Sequence, residues 1–409
     1  MHIVILGAGF GGITVYHHLR EWIDGAHVKV TVIDERETFL VKPSLPEVAF
    51  GLKGIGHITF SLRETVGRSA DFIHSRIVRI DPEARMIEVE GAQIFYDVLV
   101  IALGATKEWE KVEGFTRHGS SVCTEVLAPR LYERIQNFKG GTIFVGSAPT
   151  PTGTRLPDVP VIEAACEGPV GEVAFLADHW LRKQGKRDDA KIVCYTPGSV
   201  FFDDVGDNVH KAFNQIAEDH QIDVMTNKVI RHIESDRVSF ADGSSYEAAL
   251  TVLVPTYSGP HVVQEAGLTD EAGFVPTDED FRHLDYDNIF AVGDIATRAV
   301  PKLGHLAVLQ AMRVASVLKR DVIHHGVIAP YHPEVFCIMN MGAKALLIRS
   351  NVLYGGDLDQ AYYGGLSHTL KTLFDEYTVR FRGKMPPDVT QRLLNAYLDK
   401  VAVRESSLV

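Results

Sequence analysis

The chain has 409 residues, 45% of them hydrophobic and 23% charged, and a formal net charge of −12. That length supports two or three domains with cores of their own, and the balance is that of a water-soluble globular protein. The acidic charge argues against a nucleic-acid partner, and no run reaches the roughly 18 unbroken apolar residues that a spanning helix needs.

The first elements come at once. HIVILGAGFGG is a short apolar strand running into a glycine-spaced turn and then a helical pattern. Gly7 suits the tight turn, Gly9 lets the backbone approach a pyrophosphate, and Gly12 allows the helix to pack closely on the sheet. The free N–H groups of the helix start would face the phosphates. A second strand, VKVTVID, ends on Asp34, placed to accept from a ribose hydroxyl. Strand, glycines, helix, strand and acid in that order predict an adenine-dinucleotide site.

Residues 38 to 65 mix turns with short apolar runs, and alternating strands then lead to YDVLVIALG, which ends on Gly104. A new α/β pattern starts near Glu108. Its strand GGTIFVG is followed by Ser147, Ala148, Pro149 and Thr150, so prolines at 149 and 151 remove two N–H groups where a second glycine fingerprint would stand. The apolar strand NIFAVGD then brings Gly293 and Asp294 to the start of a helical pattern, where a carboxylate could accept from ribityl hydroxyls. A helix is predicted from about His305. The last 80 or so residues hold a small strand region and two helical patterns flanking Pro386-Pro387, each with an apolar face.

The cysteines, Cys123, Cys166, Cys194 and Cys337, are far apart, with no CxxC. In a chain with no leader peptide, residue type alone predicts reduced, buried thiols. Neither the histidines, including the pairs His17-His18 and His324-His325, nor the cysteines show metal-ligand spacing, so no metal is expected. There is no GxSxG nucleophile motif.

The N-terminal glycines, YDVLVIALG and Gly293-Asp294 together resemble the FAD fingerprints of the two-dinucleotide flavoproteins, the disulfide reductase-like superfamily. Leu103 departs from that group's usual threonine. Within the group the chain resembles sulfide:quinone oxidoreductases, particularly their archaeal-like branch, over nearly its whole length. The carriers are Ser121 to Cys123, AACEGPVGE from Ala164 to Glu172, VPKLGHLAV from Val300 to Val308, FCIM from Phe336 to Met339, and HTLKTLFDEY from His368 to Tyr377.

The resemblance implies an α/β fold with two Rossmann-like domains, one discontinuous and FAD-binding (1–107 and 285–325). The other (108–284) has lost its NADH fingerprint, and a C-terminal α+β quinone- and membrane-facing region (326–409) follows. It implies FAD as cofactor, sulfide and a membrane quinone as substrates, and peripheral contact with the cytoplasmic membrane face; a homo-oligomer fits equally. A disulfide or polysulfur bridge between Cys166 and Cys337 would be opened by sulfide, with Cys123 near the flavin edge and Glu172 handling protons. Which cysteine of the pair carries the growing sulfur chain stays open. Lys302 and Gly304 match positions by the flavin's pyrimidine end and the quinone pocket, and Lys371 and Phe374 match a cation and ring lining the quinone site. Leu127 and Asp204 fall roughly where some bacterial members have histidines. Cys194 matches no family cysteine.

Two neighbouring activities share the fold: a type II NADH:quinone oxidoreductase, and the flavoprotein subunit of a sulfide dehydrogenase that reduces cytochrome c. The altered loop after Gly146 and the three placed cysteines argue against the first. The second would normally be exported.

Overall fold

A computed structural model describes residues 1–23, 28–67, 69–153, 155–323, 326–386, 393 and 396–398. The His324-His325 pair and most of the helical pattern expected after Pro387 lie outside them. Strands β1 (His2–Leu6), β2 (Lys29–Asp34), β3 (Asp71–His74) and β4 (Val98–Ile101) begin a parallel sheet, with helix α1 (Phe10–Ile23) between the first two. The apolar, mostly β-branched runs of β1, β2 and β4 suit strands covered on both faces, while β3 is a partly exposed edge strand. Ile3 to Leu6 are fully buried.

A second parallel sheet is built from β5 (Gly141–Ser147), β6 (Ala190–Tyr195), β7 (Ile222–Met225) and β8 (Leu250–Val254), in the order β7-β6-β5-β8. Helix α2 (Gly168–Lys183) connects β5 to β6. β9 (Ile289–Ala291) returns to the first sheet beside β4, giving β9-β4-β1-β2-β3, so the first unit is discontinuous in sequence. Antiparallel strands Thr106–Glu108 and Thr256–Ser258 join the two units where the chain leaves and re-enters.

Helix α3 (Gly304–Ile323) packs on α1. The C-terminal part is an antiparallel sheet, β10 (Val335–Asn340), β11 (Ala345–Ser350) and β12 (Asp359–Gly364), covered by α4 (Gly365–Arg380). β10 also lies on α2, which brings the C-terminal sheet to the second unit. One expectation is corrected. Asp294 does not stand at the start of the long helix but in a single 3₁₀ turn, Gly293–Ile295. Gly293 has φ +76, Ala296 is extended, and Pro301 lacks an N–H, so the α-helix can nucleate only at Gly304.

Candidate active site

The glycine turn has the shape of a phosphate cradle. A β-carbon on Gly7 (φ +91) would lie 2.4 Å from the Ala102 carbonyl oxygen, and one on Gly12 1.9 Å from that of Gly7, so both positions must be bare. Gly9 differs. No protein atom lies within 4 Å of its missing β-carbon, nor of that of Gly104, so these two border open space. Asp34 closes β2 with its carboxylate accepting from the Ala8 N–H (2.6 Å) and the Arg36 N–H (2.8 Å), which aims it at the turn. The space, the bare glycines and the acid fit a flavin dinucleotide.

Across this space stand Asp294, Lys42 and Lys302. The Lys42 side chain is reached by solvent yet surrounded by protein, as expected in a deep concavity, and this desolvation together with Lys107 pulls its ammonium down to about 8. Lys302 is buried, and its ammonium sits 3.7 Å from the Phe274 ring centroid and donates to the Ala296 carbonyl at 3.2 Å. Burial lowers it to about 8, against the pull of Asp294 and Asp270.

The second glycine loop is shaped differently from the first. Ala148 N–H donates to Val254 O (2.8 Å) and Thr150 N–H to Glu163 O (2.9 Å), while Pro149 and Pro151 have no N–H. The donors that would hold a pyrophosphate are therefore absent or spent on the protein itself. No helix follows the strand directly either. Among the described residues between Ala148 and Glu167 there is no helix, and this connection delivers Cys166 to the mouth of α2.

At that mouth the cysteines gather. The Gly168 N–H points at the Cys166 sulfur, and a β-carbon on Gly168 would be only 3.0 Å from Cys337 Sγ, so both sulfurs border the first turn of α2. All four cysteines are free thiols. Burial, Cys337 and Asp204 raise Cys166 well above the ordinary thiol value; burial, Glu172 and Asp204 push Cys337 up to about 12. Burial outweighs the helix start, which favours a thiolate. Cys123 is hydrogen-bonded to Tyr257, whose buried hydroxyl also faces Cys166 and Asp294. Cys194 is buried in β6, away from this group.

Two carboxyls flank the sulfurs. Glu172, one turn into α2, is buried and leaves Oε1 with no partner; burial pushes it up to about 8, with Lys371 opposing and Glu47 reinforcing. Asp204 is also buried, leaves Oδ1 without a partner, and is pushed up to about 7 by burial and Asp203. Glu167 holds the Asp204 loop in place, with its carboxylate accepting from the Phe202 N–H (2.6 Å) and Ser147 Oγ (3.0 Å).

Helix α4 carries its polarity inverted. Ser367, Lys371, Asp375 and Thr378 are buried, whereas Leu366, Leu373 and Phe374 are exposed, and Phe381 just beyond continues that side. At about 100° per residue Leu366 and Leu373 fall opposite the buried stripe, while Phe374 and Phe381 lie along its edge. Lys371 Nζ contacts Asp375 Oδ2 (3.1 Å) and donates to the Pro43 carbonyl (2.8 Å). Burial acts to lower it, but Glu172, Asp375 and Glu47 outweigh that and hold it above the ordinary lysine value.

Residues 1–149 and 176–311 match the pyridine nucleotide-disulphide oxidoreductase family. The chain belongs to that family. It is thus an oxidoreductase whose fold and cradle are those of a flavin enzyme. It is 27% identical to a sulfide-quinone reductase of Aquifex aeolicus, over 97% of this chain and 95% of that protein. The crystal structure of the sulfide:quinone oxidoreductase from Aquifex aeolicus superposes with a TM-score of 0.86 at 26% identity, covering 97% of this chain and 95% of that one. A type II NADH:quinone oxidoreductase of Staphylococcus aureus is more distant, at 21% identity over 78% of this chain and 82% of that protein.

Of the residues expected from sequence, Cys123, Cys166, Cys337 and Glu172 converge; Gly9 and Gly104 border open space, Gly7 and Gly12 pack on backbone to shape the turn, Asp34 holds that turn, and Asp294 and Lys302 attract each other. Gly304 opens α3 against the Phe10 ring. Lys371 and Phe374 part company: the ammonium turns inward to Glu172, and the ring is 37% exposed. Sequence reasoning missed Tyr257, Lys42, Glu47, Lys53 and Asp375. Only Asp375, four residues after Lys371 on one helix, carried a signal.

Proposed function

We propose that this protein is a sulfide:quinone oxidoreductase that holds FAD, with Cys166 and Cys337 as its sulfur-handling pair. The observation that carries the reading is the meeting of these two sulfurs at the start of α2, between two buried carboxyls with raised proton affinity. Hydrosulfide attacks a disulfide or polysulfur bridge between the two cysteines; one S–S bond breaks and one forms, leaving a persulfide on one cysteine and a thiolate on the other. Asp204, pushed up to about 7, and at higher pH Glu172, pushed up to about 8, accept the proton that hydrosulfide brings, each once it is ionised. FAD, when bound, supplies the two-electron sink between sulfur and quinone.

The exposed apolar stripe of α4 and Phe381 rests on the membrane face, where a lipid-soluble quinone is available. Among the described residues no helix is long and apolar enough to cross a membrane. The consumed N–H groups of the Ala148–Thr150 loop speak against NADH as donor. Mixing the flavin-loaded protein anaerobically with sulfide or with NADH tests the reading. Rapid bleaching of the flavin absorbance by sulfide alone is expected, and its loss in Cys337→Ser; rapid bleaching by NADH would overturn it.

A further inference from the structure

A line of buried charges runs from the cysteine pair to the surface, and the reading above uses only its inner end. Lys53 Nζ lies 2.7 Å from Asp375 Oδ2 and 2.5 Å from Glu47 Oε2. Asp375 holds Lys371 at 3.1 Å. Lys371 and Glu172 attract each other but form no ion pair among the described residues, so the unpartnered Glu172 Oε1 leaves one step for a bridging water, and Glu172 in turn acts on Cys337. Asn340, three residues along β10 from Cys337, ties the two ends: its Nδ2 donates to Glu47 Oε1 at 2.7 Å and its backbone N–H to the Glu172 carboxylate. The side chains of Glu47, Asp375 and Lys371 are 3 to 4% exposed, and that of Lys53 is 19% exposed. Lys53 is therefore the end that meets solvent.

Stability does not explain such an arrangement. Burying four ionisable groups costs several kcal/mol per ion before pairing, and well-packed apolar residues often do as well or better. The vacant Glu172 Oε1 points to something that comes and goes, because buried carboxylate oxygens otherwise find partners. Proton balance supplies a reason. Hydrosulfide plus quinone gives zero-valent sulfur plus quinol only if one further proton enters: HS⁻ + Q + H⁺ → S + QH₂. The chamber is buried, so that proton needs a route.

We infer that Lys53 is the solvent end of a proton relay, Lys53–Asp375–Lys371–Glu172, that feeds the reaction chamber. The inference rests on the quinone-reduction reading. At each hand-off one N–H or O–H bond breaks as the next forms, with a water carrying the proton from Lys371 to the open Glu172 Oε1, and no group changes oxidation state. Glu47 and Asn340 are positioning residues that keep Lys53 and Glu172 aligned, and the Pro43 carbonyl steadies Lys371.

The test compares Lys53→Met, Lys53→Arg and Asp375→Asn with the parent in two measurements. Stopped-flow separates bleaching of the flavin by sulfide from its reoxidation by a soluble quinone. In Lys53→Met, bleaching stays within about twofold while reoxidation at pH 8 slows at least about tenfold, with Lys53→Arg close to the parent. The Met variant's deficit shrinks as the pH is lowered, and in Lys53→Ala added ethylammonium restores the rate, which a merely structural defect would not allow.

The second measurement needs no turnover. Infrared spectra of the resting protein follow exchange of the protonated Glu172 carboxyl, assigned by its absence in Glu172→Gln, after transfer to D₂O. Exchange slows at least about tenfold in Lys53→Met and in Asp375→Asn. Parent-like exchange and reoxidation in a folded Lys53→Met protein would overturn the relay. If sulfide fails to bleach the parent, the sulfide reading falls, and the infrared exchange still decides the relay.

Discussion

Cys337 Sγ lies against Gly168, only 3.0 Å from where a β-carbon on that glycine would stand. The glycine is thus a spacer: it lets a sulfur from β10 approach the start of α2, where Cys166 ends its loop. Gly168→Ala forces the sulfur back by a few tenths of an ångström, and cross-site chemistry is sensitive to such shifts. Sulfide-driven flavin bleaching should fall about 10- to 100-fold, with the thermal midpoint and flavin content close to the parent. Parent-like bleaching kinetics would show that the two sulfurs do not react through this contact.

Gly9 and Gly12 make opposite predictions from one motif. Gly12→Ala drives a methyl into the Gly7 carbonyl and should prevent α1 from seating, giving insoluble or strongly destabilised protein. Gly9→Ala meets no protein atom, so the flavin-free protein should melt within about 0.5 kcal/mol of the parent. Its flavin content, read from the ratio of visible to ultraviolet absorbance after gel filtration, should nevertheless collapse. Retained flavin in Gly9→Ala would mean that the pyrophosphate sits elsewhere.

These contrasts show what the sequence could and could not convey. The first sheet was legible because its strands are continuous apolar runs and its turn needs three glycines at fixed spacing. The loss of the second cradle was legible as Pro149 and Pro151, since proline removes a donor whatever the surroundings. The long helix was legible from about His305 and begins at Gly304, whereas the 3₁₀ turn that carries Asp294 was not, because it depends on Gln310 reaching back from that helix to accept the Gly293 N–H. Lys53, Glu47 and Tyr257 were invisible. Lys53 and Glu47 pair across only six residues, but their meaning comes from Asp375 and Asn340 hundreds of residues away, and that of Tyr257 from Cys123 and Cys166.

The inverted polarity of α4 predicts how the protein meets lipid. Leu366, Leu373 and Phe381 are 47%, 56% and 47% exposed, a poor arrangement in water. Leu373→Glu combined with Phe381→Glu should abolish co-sedimentation with liposomes, since each substitution replaces buried acyl contact by a charge. Reduction of a water-soluble quinone should remain within about twofold of the parent, because neither side chain reaches the buried stripe. Undiminished liposome binding would place the membrane surface on another face.

The two raised carboxyls predict the pH profile of the sulfide step and the sign of a stability change. A carboxyl accepts a proton only when ionised, so bleaching should accelerate with pH in two limbs, near 7 for Asp204 and near 8 for Glu172. Asp204→Asn should remove the lower limb and Glu172→Gln the upper one. For stability, Glu172 binds its proton more tightly folded than unfolded, where its ordinary value is 4.5. Between that value and about 8 the native state holds the extra proton, so this group's contribution is present at low pH and is lost as the pH rises through the window. Glu172→Gln cannot lose it. Relative to the parent, the variant should therefore gain about 2 to 4 kcal/mol between pH 5 and pH 9, measured as the difference in urea midpoints at constant slope. Parallel stability curves for the two proteins would show that Glu172 is ionised throughout, held by Lys371, and that the proton from hydrosulfide leaves through Asp204 alone.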